Sequence, residues 1–192
     1  MELESPGLAR RIREREPEAL QAVADAYLGQ VFRAARGAGL NPQMAEDVTQ
    51  TTFVTFIETA SRFEGRSQVR TWLFGILYKK IAAAYRELQK ERRRDSIEDI
   101  VEKRFHADGA WVRPPRPLDE QLYHTQVRDR LEGCLHDVPT KQRMAFVLRE
   151  VEGFSTEEIC KILEVSRTNL GVLLYRVRNR LRECLEDKGV RG

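Results

Sequence analysis

Between Arg167 and Arg182 the chain carries five arginines and no acid. On a helical wheel Leu170, Leu174, Val177 and Leu181 share one stripe. Thr168, Val172, Tyr175, Arg176 and Asn179 fall opposite them, with Asn169 alongside. Such a helix can be fastened to its domain by the apolar stripe while the other face lies in a DNA major groove. The side-chain types suit that task. Asparagine pairs with adenine and arginine with guanine through two hydrogen bonds each, and Val172 can meet a thymine methyl. Arginines farther from the bases hold phosphates, which orients the helix without reading sequence.

Other chemistry finds little support in the residues. There is no carboxylate cluster, no H-E-x-x-H, no GxxxxGK[ST] and no Cys/His triad, so catalysis is not expected. The cysteines, Cys134, Cys160 and Cys184, are odd in number and widely spaced. That spacing argues against a disulfide framework or a zinc ribbon, and they read as small buried residues. Neither metal nor cofactor is expected. No apolar run approaches the roughly 20 residues needed to span a bilayer. The first twenty residues hold no apolar signal segment, so a cytoplasmic location is expected.

The basic helix needs elements to position it. Ser155 and Glu158 form an S-x-x-E capping box that opens a helix over 156–163, and Ser166 caps the next, 167–185. A short helix, a tight turn and a long basic helix make a helix-turn-helix. Two further helices are predicted before it, over 119–137 and 140–151. Toward the N-terminus, three- and four-residue apolar steps predict helices over 17–36, 42–60 and 68–93. Trp72 shares a stripe with Val69 and Ile76 and reads as core. Residues 95–121 contain three prolines and little periodicity, and read as a flexible linker. The expected architecture is all-α: two small helical domains, 10–94 and 122–187, joined by that linker, the second a four-helix domain with the helix-turn-helix.

Net charge is only +3, but it is unevenly spread. Residues 70–94 hold 8 basic and 2 acidic side chains, and residues 95–122 hold 4 and 7. Two basic helices separated by an acidic connector suggest two contacts with a polyanion.

Two stretches resemble a known family when read in order. Residues 45–94, "AEDVTQTTFVTF…FEGRSQVRTWLFGIL…RELQKERRR", look like the second conserved domain of bacterial sigma-70 family sigma factors. Residues 139–185 look like the domain of that family that reads the promoter −35 element. The short connection between them resembles the extracytoplasmic-function (ECF) group.

The resemblance implies a non-catalytic subunit that binds bacterial core RNA polymerase, recognises promoter DNA at −35 and −10, and assists strand opening. It places the polymerase contact at Asp47, Gln50, Thr51 and Val54. It places −10 recognition at Phe63, Arg66, Ser67, Gln68, Arg70, Lys79, Lys80, Arg86 and Lys90, where unstacked bases would be trapped and their phosphates held. It places −35 reading on this helix, where the wheel's outward face gives Arg167, Thr168, Asn169, Val172, Tyr175, Arg176 and Asn179 as the readers; relatives' base contacts do not carry over to RTNLGVLLYR, and Arg167, Asn169 and Arg176 are expected to carry more of the readout. An anti-sigma protein is the further partner it implies. The turn position that is often glycine in relatives is Glu164 here. The alternative reading is a stand-alone helix-turn-helix regulator.

Overall fold

The computed structural model describes residues 7–95, 131, 133–135 and 137–187, with side chains on the long central helix through residue 88. The expected linker beyond Asp95, most of the expected 119–137 helix and the Lys90 side chain lie outside the described residues.

The first described element is a short helix, α1 (Leu8–Arg13), that the periodicity reading missed. Six residues are too few for an apolar period, yet Leu8 and Ile12 are buried. Helix α2 (Pro17–Gly37) carries proline in its first turn, where no amide hydrogen is needed, and buries Ala19, Val23, Val31, Ala34 and Ala35. Asn41 caps α3 (Pro42–Thr59) by accepting from the Met44 amide at 2.9 Å. Its inner face is Ala45, Val48, Thr49, Thr52, Phe53 and Phe56. The buried hydroxyls of Thr49 and Thr52 donate to the carbonyls of Ala45 and Val48 at 2.7 and 2.6 Å, so neither is left unsatisfied.

A 3₁₀ turn (Ala60–Arg62) and an irregular loop lead into α4 (Val69–Asp95). At 27 residues α4 is about 40 Å long. Its Val69, Leu73, Phe74, Leu77 and Ile81 are buried.

In the C-terminal half, α5 (Thr140–Phe146) continues as a wider π turn through Val151. Helix α6 (Thr156–Leu163) opens with the expected capping box: the Glu158 amide donates to Ser155 and the Ser155 amide to the Glu158 carboxylate. It ends at Glu164, whose φ of 53° is left-handed. A residue with a Cβ there costs about 1–2 kcal/mol, which is why glycine is common at such turns. Helix α7 (Arg167–Asp187) follows, with the Asn169 amide donating to Ser166 at 3.2 Å. The described residues contain helices and no strand.

The reading of the cysteines is corrected. Cys134 and Cys184 form a disulfide, and Cys160 is the free thiol. The pair is 50 residues apart in sequence, and only the return of α7 along the 131–138 segment brings the two together. Around it lies a small apolar cluster of Leu135, Val138, Phe146, Val177, Leu181 and Leu185.

The larger core runs through both halves without a break, from Leu8 and Ile12 through Phe56, Phe74 and Phe154 to Leu170 and Leu174. The two helical units are thus packed on one another, with α4 lying against both.

Candidate nucleic-acid interface

Helix α7 presents the expected two faces over its first half. Leu170, Leu173 and Leu174 are buried, while Arg167, Thr168, Asn169, Val172, Tyr175 and Arg176 are exposed. The exception is Asn179. It is only 4% exposed, and neither amide atom has a hydrogen-bond partner among the described residues. The wheel places Asn179 opposite the core stripe, but the covered sector widens toward the helix end, where Val177, Leu181 and Leu185 are also buried. Asn179 is therefore removed from the reading face. Arg167 pairs with Glu157 and Arg178 with Glu150, both at 2.6 Å and both solvent-exposed, so each ties α7 loosely to its neighbours.

The α3 set is brought together as expected. Asp47, Gln50, Thr51 and Val54 all lie on the exposed face. Val54 is 53% exposed, and Ile57, one turn on, is 47% exposed. With Val54 it makes an apolar centre in a polar stripe, which suits a partner helix better than water.

The loop before α4 differs more from expectation. Arg66 and Gln68 are exposed and Ser67 half-buried, with Arg66 2.9 Å from the Glu64 carboxylate. Phe63, expected in a base trap, is only 5% exposed and stacks on Trp72 at 4.9 Å between ring centres. Phe56 packs on the same indole at 5.4 Å. The aromatic side chain thus anchors the loop, leaving its polar residues outside.

Arg70 faces the C-terminal half instead of solvent. Its guanidinium lies 3.9 Å from the centre of the Phe154 ring and donates to the Glu152 carbonyl at 2.7 Å and the Gln30 side chain at 3.2 Å. The Glu152 carboxylate is 3.5 Å away. Burial raises the Glu152 pKa, and Arg70 offsets only part of that. Glu158 behaves oppositely. Burial pushes its carboxyl up, but hydrogen bonds from Ser155 and from Thr71 outweigh it and hold the pKa below the usual value. Farther along α4, Lys79 is exposed and 3.0 Å from Glu164, Lys80 is half-buried, and Arg86 is exposed.

The residue that sequence reasoning missed is Arg143. It is 2% exposed, donates to the carbonyls of Ala38 and Val138, and lies 2.7 Å from the Tyr85 hydroxyl. A lone arginine before the apolar run "MAFVL" was the available signal. Among the described residues no three His, Cys, Asp or Glu side chains are grouped to hold a metal. No helix among them is long and apolar enough to cross a membrane.

Residues 23–94 match the family description "Sigma-70 region 2", and residues 128–181 match "Sigma-70, region 4". A probable RNA polymerase sigma factor of Haemophilus influenzae is 31% identical over 152 residues, covering 76% of this chain and 78% of that protein. The ECF RNA polymerase sigma-E factor of the same organism is 25% identical over 194 residues, covering 97% and 96%. Among solved structures, the sigma factor RpoE in complex with the anti-sigma factor NepR from Bartonella quintana is similar with a TM-score of 0.66. That likeness, at 23% identity over 86% of this chain and 96% of that one, is one of fold.

Proposed function

The chain belongs to the sigma-70 family, in its ECF group, and on that premise we propose that it is the promoter-specificity subunit of a bacterial RNA polymerase. It binds the core enzyme, directs it to promoters through −35 and −10 elements, and promotes strand opening. Sigma factors are non-enzymatic initiation factors, and we assign this chain no reaction of its own. Its place of action is the cytoplasm, where polymerase and DNA are. An anti-sigma protein is its further partner, as NepR is for the similar RpoE.

The observation that carries the reading is the capped helix-turn-helix with a basic, amide-bearing outer face, coupled to a region 2 unit whose α3 shows an apolar-centred exposed stripe. We assign residues 10–94 to core binding and −10 recognition, and residues 122–187 to −35 recognition. Asp47, Gln50, Thr51 and Val54 are the assigned polymerase contact, extended by Ile57. Arg167, Thr168, Asn169, Val172, Tyr175 and Arg176 are the assigned −35 readers. Arg66, Ser67, Gln68, Arg70, Lys79, Lys80, Arg86 and Lys90 are the assigned −10 residues.

The test is transcription by purified core polymerase, with and without this protein, on a panel of genomic promoters. New promoter-specific transcripts are expected, and Val54→Asp should remove them by abolishing core binding. A protein that bound palindromic DNA tightly as a dimer and left core polymerase unchanged would be a stand-alone regulator, and the proposal would fail.

A further inference from the structure

The loop that carries Arg66, Ser67 and Gln68 is held from two sides. From inside, Phe63 stacks on Trp72, and Val69 is buried where α4 begins. Between those anchors Glu64, Gly65, Arg66 and Gln68 are exposed and Ser67 is half-buried, so burial in the core does not fix where they stand. From outside, α1 packs on the 3₁₀ turn that leads into the loop. Gly65 has a left-handed φ of +71°. A Cβ built on Gly65 would lie 3.0 Å from the Ala9 Cβ, the one atom within 4 Å of it among the described residues beyond its chain neighbours. The loop backbone therefore passes directly against a methyl group of α1.

Helix α1 is fastened well enough to act as a support. Leu8 and Ile12 are 3% and 0% exposed and belong to the same core as Phe56 and Phe63, and Ala9 packs against that core. Just past the helix, Arg15 takes a left-handed φ of 57°. Such a strained residue persists only where its surroundings hold it. Here the Arg15 amide donates to the Ile12 carbonyl at 2.9 Å, and its guanidinium donates to the Glu58 carbonyl at 2.7 Å, in the last turn of α3. The Arg11 guanidinium closes the same corner by pairing with Glu16. Helix α1 lies ahead of the segment that matches region 2 and carries none of the DNA-reading residues assigned above.

Resting on the function proposed above, we propose that α1 is a brace for −10 recognition and that Ala9 is its positioning residue. The Ala9 methyl sets how closely the Gly65 backbone approaches α1. That spacing sets where Arg66, Ser67 and Gln68 meet the unstacked bases. Polar groups read an extruded base only from within hydrogen-bond reach of its edge, so a small displacement of the loop loses the contact. Ala9 acts through Gly65 and not by touching DNA.

The experiment uses holoenzyme reconstituted from core polymerase and the full chain. Ala9→Leu pushes the loop away from α1, and Ala9→Gly removes the methyl beneath it. Gly65→Ala brings the collision from the other side. Gly65→Ala combined with Ala9→Gly relieves that collision and keeps the left-handed strain. Transcription is scored on promoters substituted singly at each −10 and −35 position. Ala9→Leu and Gly65→Ala should each lose roughly fivefold or more in discrimination at one or two −10 positions, the low end of what one base pair is worth, with −35 discrimination unchanged. Ala9→Gly should lose about threefold at the same positions, and the double variant should discriminate better than Gly65→Ala alone, the coupling expected of two groups in contact. Wild-type −10 discrimination in either folded Ala9 variant overturns the proposal; if Ala9→Leu does not fold, Ala9→Gly decides. An equal loss at −10 and −35 overturns it too, because that marks a less stable protein and not a displaced loop. So does a double variant no better than Gly65→Ala. The wild type is run alongside: if it gives no promoter-specific transcripts the sigma-factor reading fails, whereas wild-type transcripts with unaltered variants defeat only the brace.

Discussion

Asn169 and Asn179 sit ten residues apart on the same helix, and they should respond to mutation in opposite ways. Asn179 is buried with both amide atoms unbonded among the described residues. An unsatisfied buried amide costs about 1–3 kcal/mol by mutational measures. Leucine branches at the same carbon and replaces those two atoms with methyls in the same buried place. Extra methyl volume returns some of the gain as overpacking. Asn179→Leu should therefore stabilise the protein by about 1–2 kcal/mol, seen as a higher urea midpoint at unchanged slope. Promoter choice by the holoenzyme should be unaltered. Asn169→Ala should show the reverse: an unchanged urea midpoint and a loss of about 1–3 kcal/mol, roughly 5- to 150-fold, confined to one −35 position. The reasoning is refuted if Asn179→Leu lowers the urea midpoint, taken with the slope, by the equivalent of about 1 kcal/mol or more of stability. It is equally refuted if that variant loses discrimination at one base pair, because Asn179 would then be reading DNA.

Arg176→Ala should cost about 1–3 kcal/mol at a single promoter position, whereas Arg178→Ala, whose partner is exposed Glu150, should cost under about 1 kcal/mol in stability and spare base choice; a position-by-position promoter panel separates them. Breaking the Cys134–Cys184 bridge removes the closure of a 50-residue loop, worth about 4 kcal/mol at most on the chain-entropy account. Cys184→Ser should lower the melting temperature markedly, and thiol titration of the unreduced, denatured wild type should find one free thiol, Cys160; three thiols and an unshifted melt would contradict the bridge. Because burial raises the Glu152 pKa above 4.5, the folded protein takes up that proton more readily than the unfolded chain. Its contribution is complete below that value and is lost as pH rises through the raised pKa. Wild type minus Glu152→Gln stability should thus decline with rising pH over that window. The comparison is needed because Glu158, with its lowered pKa, loses its contribution as pH falls. A flat difference would count against a buried Glu152 carboxylate.

The helices and the helix-turn-helix were legible because their causes are local. Ser155 and Glu158 cap within four residues, and Leu170 and Leu174 repeat at the helical period. Composition and spacing along each segment therefore decided the all-α class, the order of elements, and which face of α3 and of the first half of α7 points outward. Tertiary structure decided the rest. Asn179 was buried because cover varies along a helix while a wheel treats it as uniform. Phe63 turned inward because Trp72 offered a stacking surface. Cys134 found Cys184, and Arg70 found Phe154 and Glu152, only once remote segments had been packed together. Local pattern reports which side of a helix prefers water; which partner takes the other side is a long-range choice, made where shape and charge meet in three dimensions.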